Sequence, residues 1–507
     1  MAVYLADVPA GQEPVIAIAG GGASGTLAAI YLLREAASRG TPLRVALIDR
    51  HGRHGLGQAY STTHPAHLLN SPADTMSALA DDPDHLTRWA AETGLPAEGF
   101  LPRRDYGRYL TESLAAAELS ARPAARACHI TAEVVAIRRQ SHGRPLRLHL
   151  AADGRIDADA VVLATGNLPP AAPCPVSRDR YIADPWEPGA LEAAADGSPV
   201  AVLGTGLSML DVAIALTDAH PRTTVHAISR HALLPREHSW PRPAPVSAMP
   251  VIRATGGTPR LTRLIREVRA SAAAYPGGWQ DMVDALRPQI PGLWAQLPEA
   301  DQRLFLTHVA RYWEVHRHRV PPATARRVAA LTSAGRLSIH RGRLAAASDQ
   351  QGCMRVRIDH GGSATELAVG WLVNCTGPAA DITATAHPLL RHLIEAGMAR
   401  PDRMRMGLDT DPVGALRDAD GRAAGDIFAL GPLLRGSRYE TTAIPEIRGQ
   451  AAALARRLLT RQGDLTRQGD LTRQGDLTRH GDLTRQGDLT RHGDLTRHGD
   501  ARPGSAA

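Results

Sequence analysis

At 507 residues, 43% hydrophobic and 21% charged, the chain is long enough for two or three domains with cores of their own. All 58 basic residues are arginine, which excludes a phosphate-loop lysine and Schiff-base or pyridoxal chemistry, since each needs an amine. The net charge of +7 is spread without a dense basic block, so nucleic acid is not an expected partner, and four scattered cysteines with no C-x-x-C exclude dithiol redox chemistry and fit a reduced, cytoplasmic setting.

In chain order, Met1–Gln12 lacks a basic region followed by an apolar core, so no signal peptide is expected. Val15–Ala19 is a short apolar run of the kind a buried parallel strand shows, and Gly20, Gly22 and Gly25 follow at the G-x-G-x-x-G spacing. Thr26–Arg34 reads as a helix, and Leu43–Ile48 as a second strand closed by Asp49. Gly20 permits the tight turn, Gly22 lets a pyrophosphate approach the backbone, and Gly25 lets the helix pack on the strand. Ala23 and Ser24 lie in the turn ahead of this helix, whose free N-terminal N–H groups favour an anion. Asp49 is placed to accept hydrogen bonds from an adenosine ribose. The apolar stretch Val15–Leu33 is broken by small residues, so no membrane span is expected.

Gly55 and Gly57 then mark a loop. Asn70, between an apolar pair and Pro72, reads either as an amide for a flavin ring edge or as a turn residue. Pro102–Tyr109 opens a helix to about Leu119, its arginines either serving phosphate or simply solvated. Ile130–Val162 alternates like strands, with turns at Ser141–Gly143 and Asp153–Gly154. It ends in a strand running into Thr165 and Gly166, the kind of strand end that abuts a dinucleotide.

A second signature follows: strand Pro199–Leu203, turn Gly204-Thr205-Gly206, and helix Leu207–Leu216 carrying Ser208 and Asp211. Met209 occupies the place of the third glycine, so the helix is expected to pack less closely. The next strand, Thr224–Ile228, is followed by Ser229-Arg230 instead of an acid. An acid suits free ribose hydroxyls, whereas Arg230 suits a 2′-phosphate, so the first site suits FAD and the second NADPH over NADH.

Trp240–Gly335 reads as helical, with segments Pro259–Ala274, Trp279–Leu286 and Glu299–Arg311 leading into Tyr312–Arg319. His316 and His318 point to different sides of a helix, so no metal site is expected. Gly370–Pro378 echoes Leu163–Pro169. Gly425–Pro432 is a further strand and turn. The helix start at Thr442, Ala443, Ile444 and Pro445 offers N–H donors to a flavin's carbonyl edge. From Leu459 to Asp500 the chain is seven copies of Leu-Thr-Arg-(Gln/His)-Gly-Asp, with one leucine per unit, and is expected to be disordered.

Taken together, the runs Gly55–Tyr60, His67–Ala73, Pro102–Tyr109, Leu203–Val212, Trp313–Arg319 and Gly431–Arg448 resemble the FAD/NAD(P)-binding flavoproteins that include FAD-dependent urate hydroxylase and nitrosuccinate synthase. More distantly they are similar to lysine and ornithine N-hydroxylases. The resemblance covers about Pro14 to Leu458. It implies an α/β fold of two Rossmann-like dinucleotide-binding domains, the NAD(P) domain inserted in the FAD domain. The expected boundaries are 1–198 and 345–458 for the FAD part, 199–344 for the NAD(P) part with its helical insert, and 459–507 for the tail. It places Gly20, Gly22, Gly25, Asp49, Asn70 and Ala443–Pro445 on FAD, and Gly204, Gly206, Ser208 and Asp211 at the NADPH site. It also implies a flavin-dependent oxidoreductase that hydroxylates a small polar substrate with NADPH and oxygen. A flavin reductase without oxygen insertion, or a non-enzymatic nucleotide-binding protein, are the alternatives. No acid or base is forced by the sequence, because that chemistry belongs to the cofactor.

Overall fold

The architecture rests on two sheets built by the same rule. A computed structural model describes residues 13–140, 145–174, 179–242, 260–275, 278–350 and 352–460. The N-terminal stretch, the turn at 141–143 and the repeats from 461 onward lie outside the described residues. The chain up to Ala455 forms one compact unit, and the described part of the second, 456–460, is helical.

The first sheet runs, edge to edge, through Ala415–Arg417, Ala423–Ala429, Ala160–Leu163, Val15–Ala19, Leu43–Asp49 and Ala125–Thr131. All pairings are parallel except that of Ala415–Arg417. The second runs through Leu337–Arg341, Val225–Ser229, Val200–Leu203, Trp371–Asn374 and Tyr181–Ile182, entirely parallel. Parallel strands covered on both faces read as unbroken apolar runs, and Ile16–Ile18 and Val200–Val202 are fully buried. The fold is α/β, as the sequence predicts.

In each sheet a first strand leads through a glycine turn and a helix to its parallel neighbour. Later, a three-stranded antiparallel sheet precedes the strand that pairs on the first strand's other side. Those antiparallel sheets are 134–138 with 146–150 and 155–158, and 343–350 with 353–360 and 363–369. The second sheet therefore draws strands from both sides of the 199–344 range, at 181–182 and 371–374.

The first helix runs Ala23–Arg39 and ends on Gly40 in the left-handed region. It starts before the expected Thr26 because Gly22 is its N-cap. In the second copy the helix is Leu207–Ala219, and Met209 is fully buried in the core beneath it. The methionine fills the space that Gly25 leaves to the backbone, where a Cβ would stand 1.8 Å from the Gly20 carbonyl oxygen.

The helical region holds Leu261–Ala274, Trp279–Leu286, Ile290–Gln296, Glu299–Leu304 and Ala310–Arg317, with a π-helical stretch at Phe305–Val309. It packs its own apolar cluster of Leu264, Met282, Leu286, Trp294 and Tyr439. Among the described residues no helix is long and apolar enough to cross a membrane.

Gly204 has φ +102° and a Cβ there would lie 2.3 Å from the Cys375 carbonyl oxygen, whereas a Cβ at Gly206 meets nothing within 4 Å. Gly204→Ala is therefore expected to cost about 1–3 kcal/mol or more in urea denaturation, and Gly206→Ala to stay within roughly 0.5 kcal/mol of the parent.

Candidate functional site

A cleft of about 400 Å³ opens at the carboxyl ends of the first sheet. Gly20, Gly22, Ala23 and Ser24 line it, with Asp49 from the next strand and Thr165 and Gly166 from the end of Ala160–Leu163. Ser208 reaches it from the second glycine turn's helix, Ile444 from the first residue of the helix that begins at 444, and Thr442 from the bend just before it. Ten residues proposed from the sequence thus share one cavity, drawn from both signatures. Gly25 stands behind the lining as a packing position. Asn70, Ala443, Pro445, Gly204, Gly206 and Arg230 are not part of this lining.

The floor is held by a web of backbone contacts. Asp49 Oδ2 accepts from Gly21 N at 3.1 Å, and its Oδ1 accepts from His51 N at 2.9 Å and Arg53 N at 3.1 Å. The acid therefore ties the glycine turn to the loop after its own strand, and keeps lone pairs for a ribose. Gly55 N donates to the Gly21 carbonyl at 2.9 Å. At Gly57, with φ +51°, a Cβ would sit 2.7 Å from Gly22 Cα. Gly57 is required by this contact, and Gly55, at φ +90°, by the close approach of Thr111.

Three features fit a dinucleotide. Helices Ala23–Arg39 and Leu207–Ala219 start on Gly22 and Gly206, neither of which caps with a side chain, so first-turn N–H groups remain for an anion. Thr165 Oγ1 is buried without a hydrogen-bond partner among the described residues. The open space beside Gly206 gives that glycine no role in the protein's own packing, as expected where a pyrophosphate approaches.

Several lining residues escaped the sequence reading. The segment Asp184-Pro-Trp-Glu187 lies against the loop after Asp49: Gln58 Nε2 donates to Asp184 Oδ2 at 2.6 Å, and Arg50 pairs with Glu187 at 2.8 Å. Trp186 packs under the Arg103 guanidinium, 5.6 Å from the ring centre. An aromatic between two prolines was the available signal. His387, just ahead of the helix Pro388–Glu395, lines the cleft with Ile48, Glu133 and Val134, and its buried Nδ1 has no partner among the described residues.

Arg103 also pairs with Asp211 at 2.8 Å, both largely buried. Burial pushes the Asp211 carboxyl up to about 6, with Arg103 pulling the other way. Asp211 is therefore committed to Arg103, and so joins the 102–103 segment to the second nucleotide helix. His67 Nε2 donates to the Asp211 carbonyl at 3.0 Å, and Thr62 Oγ1 lies 2.7 Å from its Nδ1, which fixes the tautomer. Asn70 offers its backbone carbonyl to His238 Nε2 at 3.0 Å. Within Trp313–Arg319, Arg317 pairs with Glu440 at 3.3 Å and Arg319 donates to Gln280 Oε1 at 3.0 Å, so both arginines have partners inside the fold.

Residues 17–168 match a family model described as FAD-NAD(P)-binding. No curated protein matches the chain. Among solved structures, the Kutzneria sp. 744 ornithine N-hydroxylase, with reduced FAD, NADP⁺ and L-ornithine, is 17% identical at a TM-score of 0.56, over 89% of this chain and 100% of that one. The FAD-bound cadaverine monooxygenase of Erwinia amylovora is 13% identical at 0.59, over 87% and 93%. L-lysine 6-monooxygenase from Pseudomonas syringae is 15% identical at 0.59, over 89% and 99%. At these identities the likeness is one of fold.

Burial holds His67 and His238 neutral, each pushed down to about 4 from 6.5. A histidine with a depressed folded pKa contributes stability that is present above 6.5 and lost as pH falls toward 4. Each should cost about 2 kcal/mol between pH 7 and pH 5. Asp211, raised from 3.8, acts in the opposite sense and returns only about 1 kcal/mol over that range. Unfolding free energy should therefore drop between pH 7 and 5, and His67→Gln should flatten that slope by one histidine's share. An unchanged slope in urea titrations at the two pH values would contradict it.

Proposed function

We propose that the chain is an FAD-dependent, NADPH-using monooxygenase of the N-hydroxylating kind, acting on a small polar substrate. The observation that carries this is the shared cleft: Ser208 of the second signature and Gly20, Gly22 and Asp49 of the first line one cavity. Two nucleotides held at these turns bring their reactive ends toward each other, as hydride transfer requires. The family match over 17–168 and the flavin- and NADP⁺-bearing structural neighbours support the same reading. So does the resemblance to the urate hydroxylase and nitrosuccinate synthase group, which favours oxygen insertion over simple flavin reduction. Unpaired, scattered cysteines suit a cytoplasmic setting.

In this reading the FAD body is 1–198 with 345–458, and the NADPH unit is 199–344 extended by its outlying strands at 181–182 and 371–374. When bound, FAD would supply the redox chemistry of hydride acceptance and oxygen reduction. The chain's own residues bind and orient. Backbone at Gly20–Ser24 and the helix start behind it take the pyrophosphate, and Asp49 takes the ribose. Thr165 Oγ1 donates into the cleft. At the helix start Thr442–Pro445, the N–H groups of Thr442, Ala443 and Ile444 face the ring's carbonyl edge, and Pro445, which has none, sets the helix's first turn. Trp186, stacked under Arg103, covers one wall of the cleft.

Arg230 carries the NADPH preference. It is exposed, directly after Val225–Ser229, and no ion pair among the described residues engages it. Its segment is stitched to the second glycine turn: Thr205 Oγ1 lies 2.9 Å from Ser229 Oγ and donates to the Leu233 carbonyl at 2.6 Å.

The purified protein should be yellow and oxidise NADPH, with hydroxylated product formed only under oxygen. Flavin reduction without product would leave a reductase, and a colourless protein would end the flavin reading. Arg230→Ala should weaken NADPH by roughly 10- to 150-fold while changing NADH far less. Equal losses in flavin-reduction titrations with the two nicotinamides would make Arg230 merely structural.

A further inference from the structure

One end of the cleft carries polar groups that the protein's own packing leaves unanswered. Tyr60, Arg103, Ser208 and Thr442 line it together, so it is the stretch where the two glycine-turn units meet. Arg103 is held there from three sides. Its Nε donates to the Leu68 carbonyl at 3.2 Å, its Nη2 pairs with Asp211 at 2.8 Å, and the Trp186 ring centre lies 5.6 Å from its guanidinium carbon. Nη1 has no partner among the described residues. Asp211 is not part of the lining, so the pair is a dipole with its positive end toward the cleft. The Tyr60 ring packs on Tyr106, 4.7 Å between centres, and its hydroxyl likewise makes no hydrogen bond among the described residues. Burial pushes that phenol up to about 12 while Arg103 pulls it down, so the guanidinium's field falls on the same spot. A desolvated hydroxyl without a partner is costly, and a ligand in the cleft is what would supply one.

We infer that Arg103 and Tyr60 form a seat for the negative charge a flavin gains on reduction, and that Asp211 is the positioning residue that aims Arg103 into it. This rests on the FAD reading of the cleft and gives a redox role to residues outside the glycine turns. The seating follows from the lining. Asp49 and Gly20–Ser24 take the adenosine and the pyrophosphate, which leaves the wall of Tyr60, Arg103 and Thr442 to the ring half. A hydride from the nicotinamide brings two electrons and one proton. The ring therefore ends one negative charge richer, and the nicotinamide leaves as its cation. Donors fixed beforehand in a water-poor site meet that charge without having to reorganise, and so favour the reduced form. The geometry of Arg103 also sets it apart from a mere tie between two segments. A guanidinium used only for that turns two nitrogens to its carboxylate, whereas Arg103 gives Asp211 one and keeps Nη1 free. Asp211 in turn offsets part of the charge while it keeps the guanidinium from swinging away.

The test is the midpoint reduction potential of the bound flavin, read by equilibration with a reference dye on the flavin-loaded full chain, with no substrate present. A tenfold change in the ratio of reduced to oxidised flavin corresponds to about 30 mV for a two-electron couple. Arg103→Gln should lower that ratio by about 10- to 100-fold, or about 30–60 mV, and Tyr60→Phe by about 3- to 10-fold. Asp211→Asn should raise it by about 3- to 10-fold, because Arg103 stays on Leu68 and Trp186 but loses its counter-charge. Opposite signs for the two halves of one ion pair are what a merely structural pair does not produce. If Arg103→Gln fails to fold, Tyr60→Phe and Asp211→Asn carry the test, since phenylalanine gives up no hydrogen bond within the folded protein. Unchanged potentials in those two variants, or shifts of the same sign in Arg103→Gln and Asp211→Asn, would overturn the seat. A chain that binds no flavin sinks the FAD reading and the seat with it, whereas flavin held at one potential in every variant sinks the seat alone.

Discussion

A carbonyl oxygen sits where a side chain would have to be, twice over. Gly20 has φ +115° and a Cβ on it would lie 2.3 Å from the Ala164 carbonyl oxygen; Gly204 has φ +102° and the same distance to that of Cys375. In each sheet the first strand must leave through a left-handed turn directly beside the end of its other neighbour. Ala164 N donates to Ala19 O at 2.9 Å and Cys375 N to Leu203 O at 2.8 Å, so the neighbour cannot move aside without losing ladder hydrogen bonds. Only glycine satisfies both the dihedral and the contact. Everything that makes the cleft depends on that junction. The helix starts where the turn releases it, its N–H groups face the strand ends, and the segments after Ala164 and Cys375 run along the opening.

The two halves are then held to one another by polar contacts of unequal weight. Exposed pairs such as Arg50–Glu187 contribute at most about 1 kcal/mol. The Arg103–Asp211 pair is different, because both groups are largely out of water and Asp211 has lost enough solvation for its carboxyl to rise to about 6. Breaking such a pair from one side leaves a buried charge and costs about 3–5 kcal/mol, although the intact pair adds little net stability. Its role is geometric. With His67 bonded to the carbonyl of the same aspartate, it fixes the helix carrying Ser208 against the segment that carries Arg103 to the cleft.

What was readable in the sequence was whatever repeats with a physical period. The strands, both glycine turns, the helices after them and the helix Trp279–Leu286 follow from apolar runs and 3.6-residue spacing, and they carry most of the cleft floor with them. What was not readable lies far apart in the chain and converges only on folding. Nothing local marks Trp371–Asn374 as a partner of Val200–Leu203, since parallel pairing needs no turn signal. His387 reaches the cleft across more than two hundred residues from Val134. Arg311 looks like any other arginine on an amphipathic helix until His231 is found beside it. Asp211 could be read as a nucleotide contact because its pairing partner, Arg103, starts a helix more than a hundred residues away, and nothing local shows that the two meet.

The two nucleotide units also show how one architecture is tuned to two ligands. In the first, Gly25 brings helix and strand backbones close enough that a Cβ would stand 1.8 Å from the Gly20 carbonyl oxygen, and Asp49 closes the next strand. In the second, Met209 occupies Gly25's place and is fully buried, and the next strand ends in Ser229-Arg230. The helix start is open in both, since Gly22 and Gly206 alike leave the first turn uncapped. What differs is the charge at the second strand's end. Asp49 is already saturated on one side by three backbone N–H groups and repels a phosphate. The second unit's strand end carries the exposed Arg230 instead, which no ion pair among the described residues engages. In the proposed reading, discrimination between the dinucleotides falls to a few side chains at strand ends, while the glycine turns supply the pyrophosphate seat common to both.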